Sequence, residues 1–273
     1  MKIATVGKGG SGKTTIAGTL SRILARRKGK VLAIDGDPNP NLAFVLGITR
    51  EASDGIPYIP PSLMQVIDDT SGDRRLVMSV SREELISNYA TEAPDGIELI
   101  VMGKPAHGTA GSGCMCASHR AVRGLIAEMS DYGDHTVTDM EAGLEHLKRG
   151  TARNVDVMLV VAEPYYRSLE AAARTFSLAR ELAIPHIYVV PNKVKNASDQ
   201  AAIEVHCSRH DLPILGTVPY DETFIESERD ERSPIDFAPE SPGVRAISEI
   251  ATKLIALKSP QARQKEATLG ARP

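Results

Sequence analysis

The sequence predicts an α/β fold: a single P-loop-type domain with a mostly parallel central sheet and helices on both faces. Short, continuous apolar runs alternate along the chain with segments of helical periodicity, which is the pattern of strands covered on both sides by helices. Glycine-rich and acidic motifs follow several of these runs, at the strand ends where parallel sheets bind ligands. With 273 residues, 42% hydrophobic and 25% charged, the chain can bury a substantial core.

Charge and hydropathy argue against several kinds of partner. The 32 basic and 35 acidic residues give a net charge of −3 without a basic stripe, so we expect no nucleic acid as partner. The longest apolar run, residues 157–162, is far shorter than the roughly 20 residues of a membrane span. No apolar signal region follows Met1. We therefore expect a cytoplasmic protein with no membrane partner, whose three cysteines stay reduced rather than forming a disulfide framework.

The apolar runs predict the strands in chain order. They are residues 3–6, 31–34, 97–102, 135–138, 157–161, 187–190 and 214–218. Residues 11–27 carry apolar side chains at helical spacing and predict a helix after the first strand. Residues 51–95 are rich in Asp, Ser and Pro and predict an irregular insertion, with room for short helices. The domain is expected to span 1–257, and the polar tail 258–273 is expected to be disordered.

A phosphate-binding loop follows the first strand. Residues 7–14 read Gly-Lys-Gly-Gly-Ser-Gly-Lys-Thr, which fits Gly, four residues, Gly-Lys-Thr between a strand and a helix. In such a loop backbone N–H groups cradle phosphates, the lysine reaches the β- and γ-oxygens and the threonine hydroxyl holds Mg²⁺. The predicted nucleotide-binding residues are Gly9, Gly10, Ser11, Gly12, Lys13, Thr14 and Thr15, with Thr14 also on Mg²⁺.

Lys8, the second residue of the loop, is not needed to cradle phosphate within one chain. The loop resembles the deviant Walker A loop of the family that includes the nitrogenase iron protein, MinD, ParA and the arsenite ATPases. The resemblance implies an ATPase that forms a homodimer with nucleotide, in which Lys8 reaches the partner's nucleotide and belongs to the catalytic set. The alternative is a solvated surface lysine.

Acidic residues end two further strands. Asp35 and Asp37 follow the second strand; Asp37 is predicted to orient the attacking water, and Asp35 to support Mg²⁺ through a water ligand. Asp37 could instead cap its turn, because Asp-Pro-Asn is good turn chemistry. Asp139 ends the strand at 135–138 and resembles a Walker B aspartate that holds Mg²⁺. Asp37, Asn41 and Gly143 are the predicted switch residues that register the nucleotide state.

Two segments at the far side of the sheet are candidates for binding the base. Asn192 and Lys193 follow one strand, and Pro219 and Asp221 follow the next predicted strand. In the family resembled here such segments grip adenine, and an asparagine amide can form paired hydrogen bonds with the base edge. We therefore expect ATP rather than GTP.

Cys114 and Cys116 lie one residue apart in a glycine-rich loop. Such a loop cannot bury thiols well, and a disulfide between them would close a strained ring. Two adjacent thiolates instead form a chelating pair for a soft or borderline metal. Closed thiolate sites usually have four ligands, which a two-fold dimer would supply. The alternative is a pair of reduced cysteines without a metal.

Together with Lys8 and the acidic strand ends, residues 103–105, the cysteine pair and residues 139–146 resemble the CooC-type nickel-inserting ATPases that serve carbon monoxide dehydrogenase. The resemblance implies an ATP-dependent metallochaperone that binds Ni²⁺, or Zn²⁺, at an intersubunit Cys₄ site for insertion into that dehydrogenase or a related nickel enzyme. Two alternatives remain open: an iron–sulfur-bridged ATPase like the nitrogenase iron protein, and a MinD- or ParA-like scaffold ATPase without a metal.

Overall fold

A computed structural model describes residues 1–68, 74–102, 116–129, 132–141 and 154–257. The strands are β1 (Lys2–Gly7), β2 (Val31–Gly36), β3 (Tyr58–Ile59), β4 (Met64–Asp68), β5 (Arg74–Met78), β6 (Ala90–Ala93), β7 (Ile97–Met102), β8 (His135–Met140), β9 (Val157–Ala162) and β10 (His186–Pro191). The helices are α1 (Lys13–Arg26), α2 (Leu42–Leu46), α3 (Arg50–Ser53), α4 (Arg82–Tyr89), α5 (Cys116–Glu128), α6 (Tyr166–Glu181), α7 (Ala197–Arg209), α8 (Thr223–Arg229), α9 (Pro234–Phe237) and α10 (Pro242–Ala256).

A mostly parallel sheet forms the centre of the domain. Its order is β10-β9-β1-β8-β2-β7-β3, every neighbouring pair in that series is parallel, and β6 pairs antiparallel with β7. The parallel strands end at one edge, so β1, β2, β8, β9 and β10 bring their following loops together there. The predicted fold class is confirmed.

Helices cover both faces of the sheet. All six residues of β1 are buried, and they alternate between two cores. Ile3 packs on one face with apolar side chains of α1, α2 and α10, whereas Ala4 and Val6 pack on the other with those of α5, α6 and α7. Burial on both faces explains why the central strands read as continuous apolar runs.

Local sequence signals fix several helix ends. Ser81 begins α4 with a capping box, in which its hydroxyl accepts the Glu84 N–H and the Glu84 carboxylate accepts the Ser81 N–H. The Ser241 hydroxyl accepts the Val244 N–H and caps α10, and Pro242 stands at its first turn, where its missing N–H costs nothing. Among the described residues, no helix combines the length and apolar character needed to cross a bilayer.

Two expectations about the fold need correction. Residues 214–218 do not form a regular strand: they run beside β10 through isolated bridges such as Val189 with Ile214. The Leu215 N–H donates to the Val189 carbonyl oxygen, but Pro191, two residues further along β10, has no N–H to continue a regular ladder. Residues 51–95, expected to be irregular, contain short regular elements where described, including the β4–β5 hairpin and two strands, β3 and β6, that join the main sheet.

Candidate nucleotide site

The phosphate loop connects the buried end of β1 to the first turn of α1. Lys8, Gly9 and Gly10 are exposed, whereas Ser11 is buried and Lys13 is only 6% exposed. Lys13 is the first residue of α1, where unpaired N–H groups and the helix dipole favour an anion. The loop therefore presents one nearly buried ammonium group and a helix N-terminus at the same point, as phosphate binding requires.

Gly12 lets the loop pack against the end of β10. It has a φ of +93°, and a Cβ at this position would lie 2.2 Å from Nδ2 of Asn192. That amide donates a hydrogen bond to the carbonyl oxygen of Ser11 over 2.7 Å, and Asn192 is only 5% exposed. Asn192 thus holds the phosphate loop. Its predicted contact with the base stays a prediction, and the amide has this additional structural task.

Lys193 and Lys8 join a chain of polar contacts on the outer side of the loop. The Lys193 ammonium donates to the Gly10 carbonyl oxygen over 2.6 Å and pairs with Glu163 over 3.0 Å. Glu163 also accepts the Tyr165 hydroxyl over 2.7 Å. The Lys8 ammonium lies 5.3 Å from the centre of the Tyr165 ring. Lys8 is therefore exposed but rests on an aromatic ring of its own chain, within the range of a cation–π contact.

Polar side chains occupy one row across three adjacent strands. Register pairs Thr5 of β1 with Asp139 of β8, and Asp139 with Asp35 of β2. All three side chains are at most 1% exposed. The Asp139 carboxylate accepts the Thr14 hydroxyl over 2.5 Å and the Thr5 hydroxyl over 3.0 Å. Asp139 and Thr14 thus meet beside Lys13, as predicted for a shared Mg²⁺ site.

Burial places both aspartates in an unusual electrostatic state. It raises the pKa of Asp35 to about 7, with the neighbouring Asp139 adding to the rise. It also raises the pKa of Asp139 to about 6, opposed by the Thr14 hydrogen bond and the Lys13 charge. A bound divalent cation offsets both burial and mutual repulsion. Carboxylate and hydroxyl oxygens are ligands suited to Mg²⁺, so the donor set fits the expected ion.

The carboxylate of Asp35 organises the loop after β2. One oxygen accepts the Leu42 N–H over 2.8 Å and the other accepts the Asp37 N–H over 3.2 Å. Both oxygens are therefore used to position the residues that carry the predicted switch. Its support of Mg²⁺ through a water ligand stays a prediction.

Asp37 and Asn41 occupy the same loop. The half-buried Asp37 accepts the Asn39 N–H over 2.9 Å, and the exposed Asn41 amide donates to the Asn39 carbonyl oxygen over 2.8 Å. The turn-capping alternative for Asp37 is therefore present in this structure. It leaves the catalytic prediction open, because a carboxylate can accept more than one hydrogen bond.

A cavity of about 530 Å³ opens beside the first turn of α1, within the size range of small-molecule sites. Its lining residues are Thr14, Thr15, Asn41, Phe44, Val45, Arg50, Phe224, Ser227, Glu228, Glu231, Arg232 and Pro234. Neither Pro219 nor Asp221 is among them. The Asp221 carboxylate instead accepts N–H groups of Thr223 and Gly243, and so ties the start of α8 to α10. The predicted adenine contacts of Pro219 and Asp221 stay predictions.

Three predicted residues cannot be placed in this site. Cys114 and Gly143 lie outside the described residues, and Cys116 is the first residue of α5, at the edge of the described part. Cys207, on α7, is buried, and burial raises its pKa to about 11. It is therefore a structural thiol rather than a thiolate ligand.

Comparison with known proteins agrees with this geometry. The family profile described as "CbiA: CobQ/CobB/MinD/ParA nucleotide binding domain" matches residues 2–235, which include the phosphate loop and both acidic strand ends. The chain belongs to this family. As a member of the MinD/ParA family with an intact phosphate loop, it is a P-loop ATPase that uses Mg-ATP.

Similar proteins of this family share most of the chain. The carbon monoxide dehydrogenase accessory protein CooC of Rhodospirillum rubrum is 35% identical over 247 residues, which cover 88% of this chain and 91% of CooC. An uncharacterized ATP-binding protein of Methanocaldococcus jannaschii is 36% identical over 267 residues, covering 95% and 99%. The Mg-ADP complex of MinD from Pyrococcus horikoshii has the same fold, with a TM-score of 0.67 at 18% identity and coverage of 93% and 95%.

Sequence reasoning missed three residues of this MinD/ParA-type site. Thr5 lies between Ala4 and Val6 inside an apolar strand and gave no motif signal, although its hydroxyl donates to the buried Asp139 carboxylate. Glu163 and Tyr165 follow β9 directly. The general rule that ligands bind at strand ends could have pointed to that pair.

Thr5 supplies a testable positioning role. Thr5→Val removes a donor from the buried Asp139 carboxylate, and an unsatisfied buried acceptor costs about 1–3 kcal/mol. We expect a lower melting temperature without nucleotide and Mg-ATP binding weakened about tenfold, a change of about 1.4 kcal/mol. Thr5→Ser keeps the hydroxyl and should restore binding. Calorimetric titration of the two variants checks this, and equal weakening in both would contradict the role of the hydroxyl, because serine keeps it.

Proposed function

We propose that this ATPase is a metallochaperone, which forms a homodimer with nucleotide and binds nickel for insertion into carbon monoxide dehydrogenase or a related nickel enzyme. The observation that carries the proposal is the 35% identity with CooC over 88% of the chain. The cysteine pair at 114 and 116 supports it, because a delivery protein for a borderline metal needs thiolate ligands.

The described residues divide the ATPase chemistry among them. Lys13 and the first turn of α1 bind the β- and γ-phosphates, while Thr14 and Asp139 hold Mg²⁺. When bound, Mg²⁺ neutralises charge that develops on the phosphate oxygens. Asp37 orients the attacking water and accepts its proton. Asp35 fixes the loop that carries Asp37, so it acts as a positioning residue.

Dimerisation depends on Lys8 in this proposal. The side chain is exposed and rests on Tyr165, a surface contact that contributes about 0.5–1 kcal/mol. Such a contact is weak enough to be exchanged for the phosphates of a nucleotide in the partner subunit. Lys8 then completes the catalytic set across the dimer.

The metal is cargo rather than a resident cofactor. Cys114 and Cys116 from each subunit supply four thiolates across the two-fold axis, a donor set that takes Ni²⁺ or Zn²⁺. Because metal and nucleotide both bind to the dimer, each changes the affinity of the other by the same factor. Hydrolysis separates the subunits and releases the ion to the client enzyme.

The test is a nickel titration of the reduced protein, with the mass followed by light scattering, in ADP and in a non-hydrolysable ATP analogue. We expect one thiolate-bound ion per dimer and an affinity that depends on the nucleotide. The double variant Cys114→Ser/Cys116→Ser should lose this ion while it keeps basal ATP hydrolysis. Cys207→Ala is the matched control, since it removes a buried thiol and should leave nickel binding unchanged.

Two results would contradict the proposal. A double variant that still binds a thiolate-coordinated ion per dimer would place the site elsewhere. Wild-type protein that binds no thiolate-coordinated metal in either nucleotide state would leave a MinD- or ParA-like scaffold ATPase as the interpretation. A brown colour after anaerobic purification would instead indicate an iron–sulfur cluster at the cysteines.

A further inference from the structure

Helices α6 and α7 bring three metal-ligand side chains together, away from the phosphate loop. Glu170 lies on α6, His206 on α7, and His210 directly after α7. One ligand atom from each lies within 4.8 Å of the other two. Among the described residues, no other group of three or more His, Cys, Asp or Glu side chains meets this criterion.

The backbone fixes the two histidines on one face. The His210 N–H donates to the His206 carbonyl oxygen over 3.2 Å, so the helical turn continues through both residues and the i, i+4 spacing makes their side chains neighbours. Their ring centres are 4.5 Å apart. Ile203 and Cys207 each precede one of these histidines by three residues, so they lie on the same side of α7, and both are buried in the core. The face is therefore held against α6 by packing.

His206 carries a buried ring nitrogen that is not used within the described part of the chain. Its Nε2 atom is buried and has no hydrogen-bond partner among the described residues. A histidine ligand characteristically uses one ring nitrogen for the metal and fixes the other through a backbone carbonyl or carboxylate. An unpartnered buried nitrogen is otherwise costly.

The Glu170 carboxylate has one weak ion pair in the described part of the chain. Its partner is Arg174, whose guanidinium is 4.0 Å away with its side chain 72% exposed. Such an exposed, long pair is weak, so the carboxylate remains available.

We propose that Glu170, His206 and His210 form a second metal site, which binds one borderline divalent cation such as Zn²⁺ or Ni²⁺ in each chain. Two imidazoles and a carboxylate are ligands that these ions accept, with water in the open position. The ion links α6 to α7 within one subunit. The site is independent of the cysteine pair, of nucleotide and of the dimer, and so goes beyond the proposed function.

The test uses the full-length Cys114→Ser/Cys116→Ser variant, in which any thiolate site is removed. Titration with Zn²⁺ is expected to give one ion per chain with the same affinity in ADP and in an ATP analogue. With Co²⁺ as the probe, the spectrum should show ligand-field bands without thiolate-to-metal charge transfer. Adding His210→Gln should weaken Zn²⁺ binding by about 100-fold or more, because loss of even an outer partner costs about 10–100-fold.

Matched controls keep the result interpretable. His186→Gln removes a histidine on β10 outside the cluster and should leave Zn²⁺ affinity unchanged. His210 is exposed, so His210→Gln should fold normally, and Glu170→Gln provides a second variant of the site that should also weaken binding. Absence of the per-chain ion, or unchanged affinity in His210→Gln, would overturn this proposal. Neither result tests the thiolate site. That site is measured separately, as one ion per dimer in protein that keeps Cys114 and Cys116.

Discussion

Lys13→Ala is expected to abolish ATP hydrolysis, lowering kcat by on the order of 100- to 1,000-fold. The Lys13 side chain is 6% exposed and is the first residue of α1, so its charge acts in a site largely closed to water. There it stabilises the negative charge on the transferred phosphate and also partly offsets the buried Asp139. Alanine supplies neither effect. Lys8, the other lysine of the loop, is exposed and does not replace the buried charge.

Steady-state phosphate release with Mg-ATP in excess is the measurement. Lys30→Ala is the matched control, because Lys30 precedes β2 at the opposite edge of the sheet and its side chain is 53% exposed. It should hydrolyse ATP at the normal rate. Activity of Lys13→Ala within a few fold of the unaltered protein would contradict the assignment of the phosphate site.

Asp37→Asn should leave ATP bound but unhydrolysed, with kcat reduced by about 100- to 10,000-fold. The substitution separates the two interpretations of this residue. An asparagine oxygen can still accept the Asn39 N–H that Asp37 accepts over 2.9 Å, so the turn should survive. It cannot take a proton from water at neutral pH. A structural cap predicts normal hydrolysis, whereas a water-positioning carboxylate predicts its loss.

Single-turnover hydrolysis and nucleotide binding should be measured on the same Asp37→Asn sample. We expect ATP affinity within a few fold of normal and an ATP-bound dimer that persists in light scattering. Asp54→Asn, at an exposed helix end, is the charge-matched control and should behave as the unaltered protein. Normal turnover by Asp37→Asn would identify Asp37 as a turn residue and leave the base unassigned.

The sequence predicted the site best where chemistry requires particular residues in consecutive order. The phosphate loop needs glycines, a lysine and a threonine at fixed positions, so residues 7–14 revealed the strand, the loop and the helix together. Asp139 was recognisable because an acid ends a short strand-forming run and a glycine follows at position 143. The structure places it against Thr14, as that interpretation requires.

Contacts between distant residues were less accessible from sequence. Thr5 meets Asp139 only because β1 and β8 pair in one register, and nothing local in either segment specifies that register. Asn192 follows a strand as expected, yet its amide reaches the carbonyl of Ser11. Its position could be predicted from periodicity, but its hydrogen-bond partner depends on how closely Gly12 allows the loop to approach.

Backbone pairing explains why residues 214–218 do not form the strand that their apolar run predicts. Their apolar run is real, and Leu215 and Val218 are buried. An apolar pattern in the sequence, however, indicates which side chains are buried. It does not indicate whether the backbone forms hydrogen bonds with a neighbouring strand. The segment does form hydrogen bonds with β10 at Val189, but Pro191 of β10 has no N–H to donate, so the pairing does not extend into a regular strand.

The central position of β1 has a consequence for how the chain folds. Strand β1 pairs with β8 and β9, beginning with Lys2 beside Thr136 and Ile3 beside Val157. The middle of the sheet therefore cannot close until more than half of the 273 residues have left the ribosome. Contacts so far apart in sequence make folding slow, and an apolar strand that waits for its partners is prone to aggregation. The arrangement that assembles the phosphate loop therefore leaves β1 without its neighbouring strands for much of synthesis.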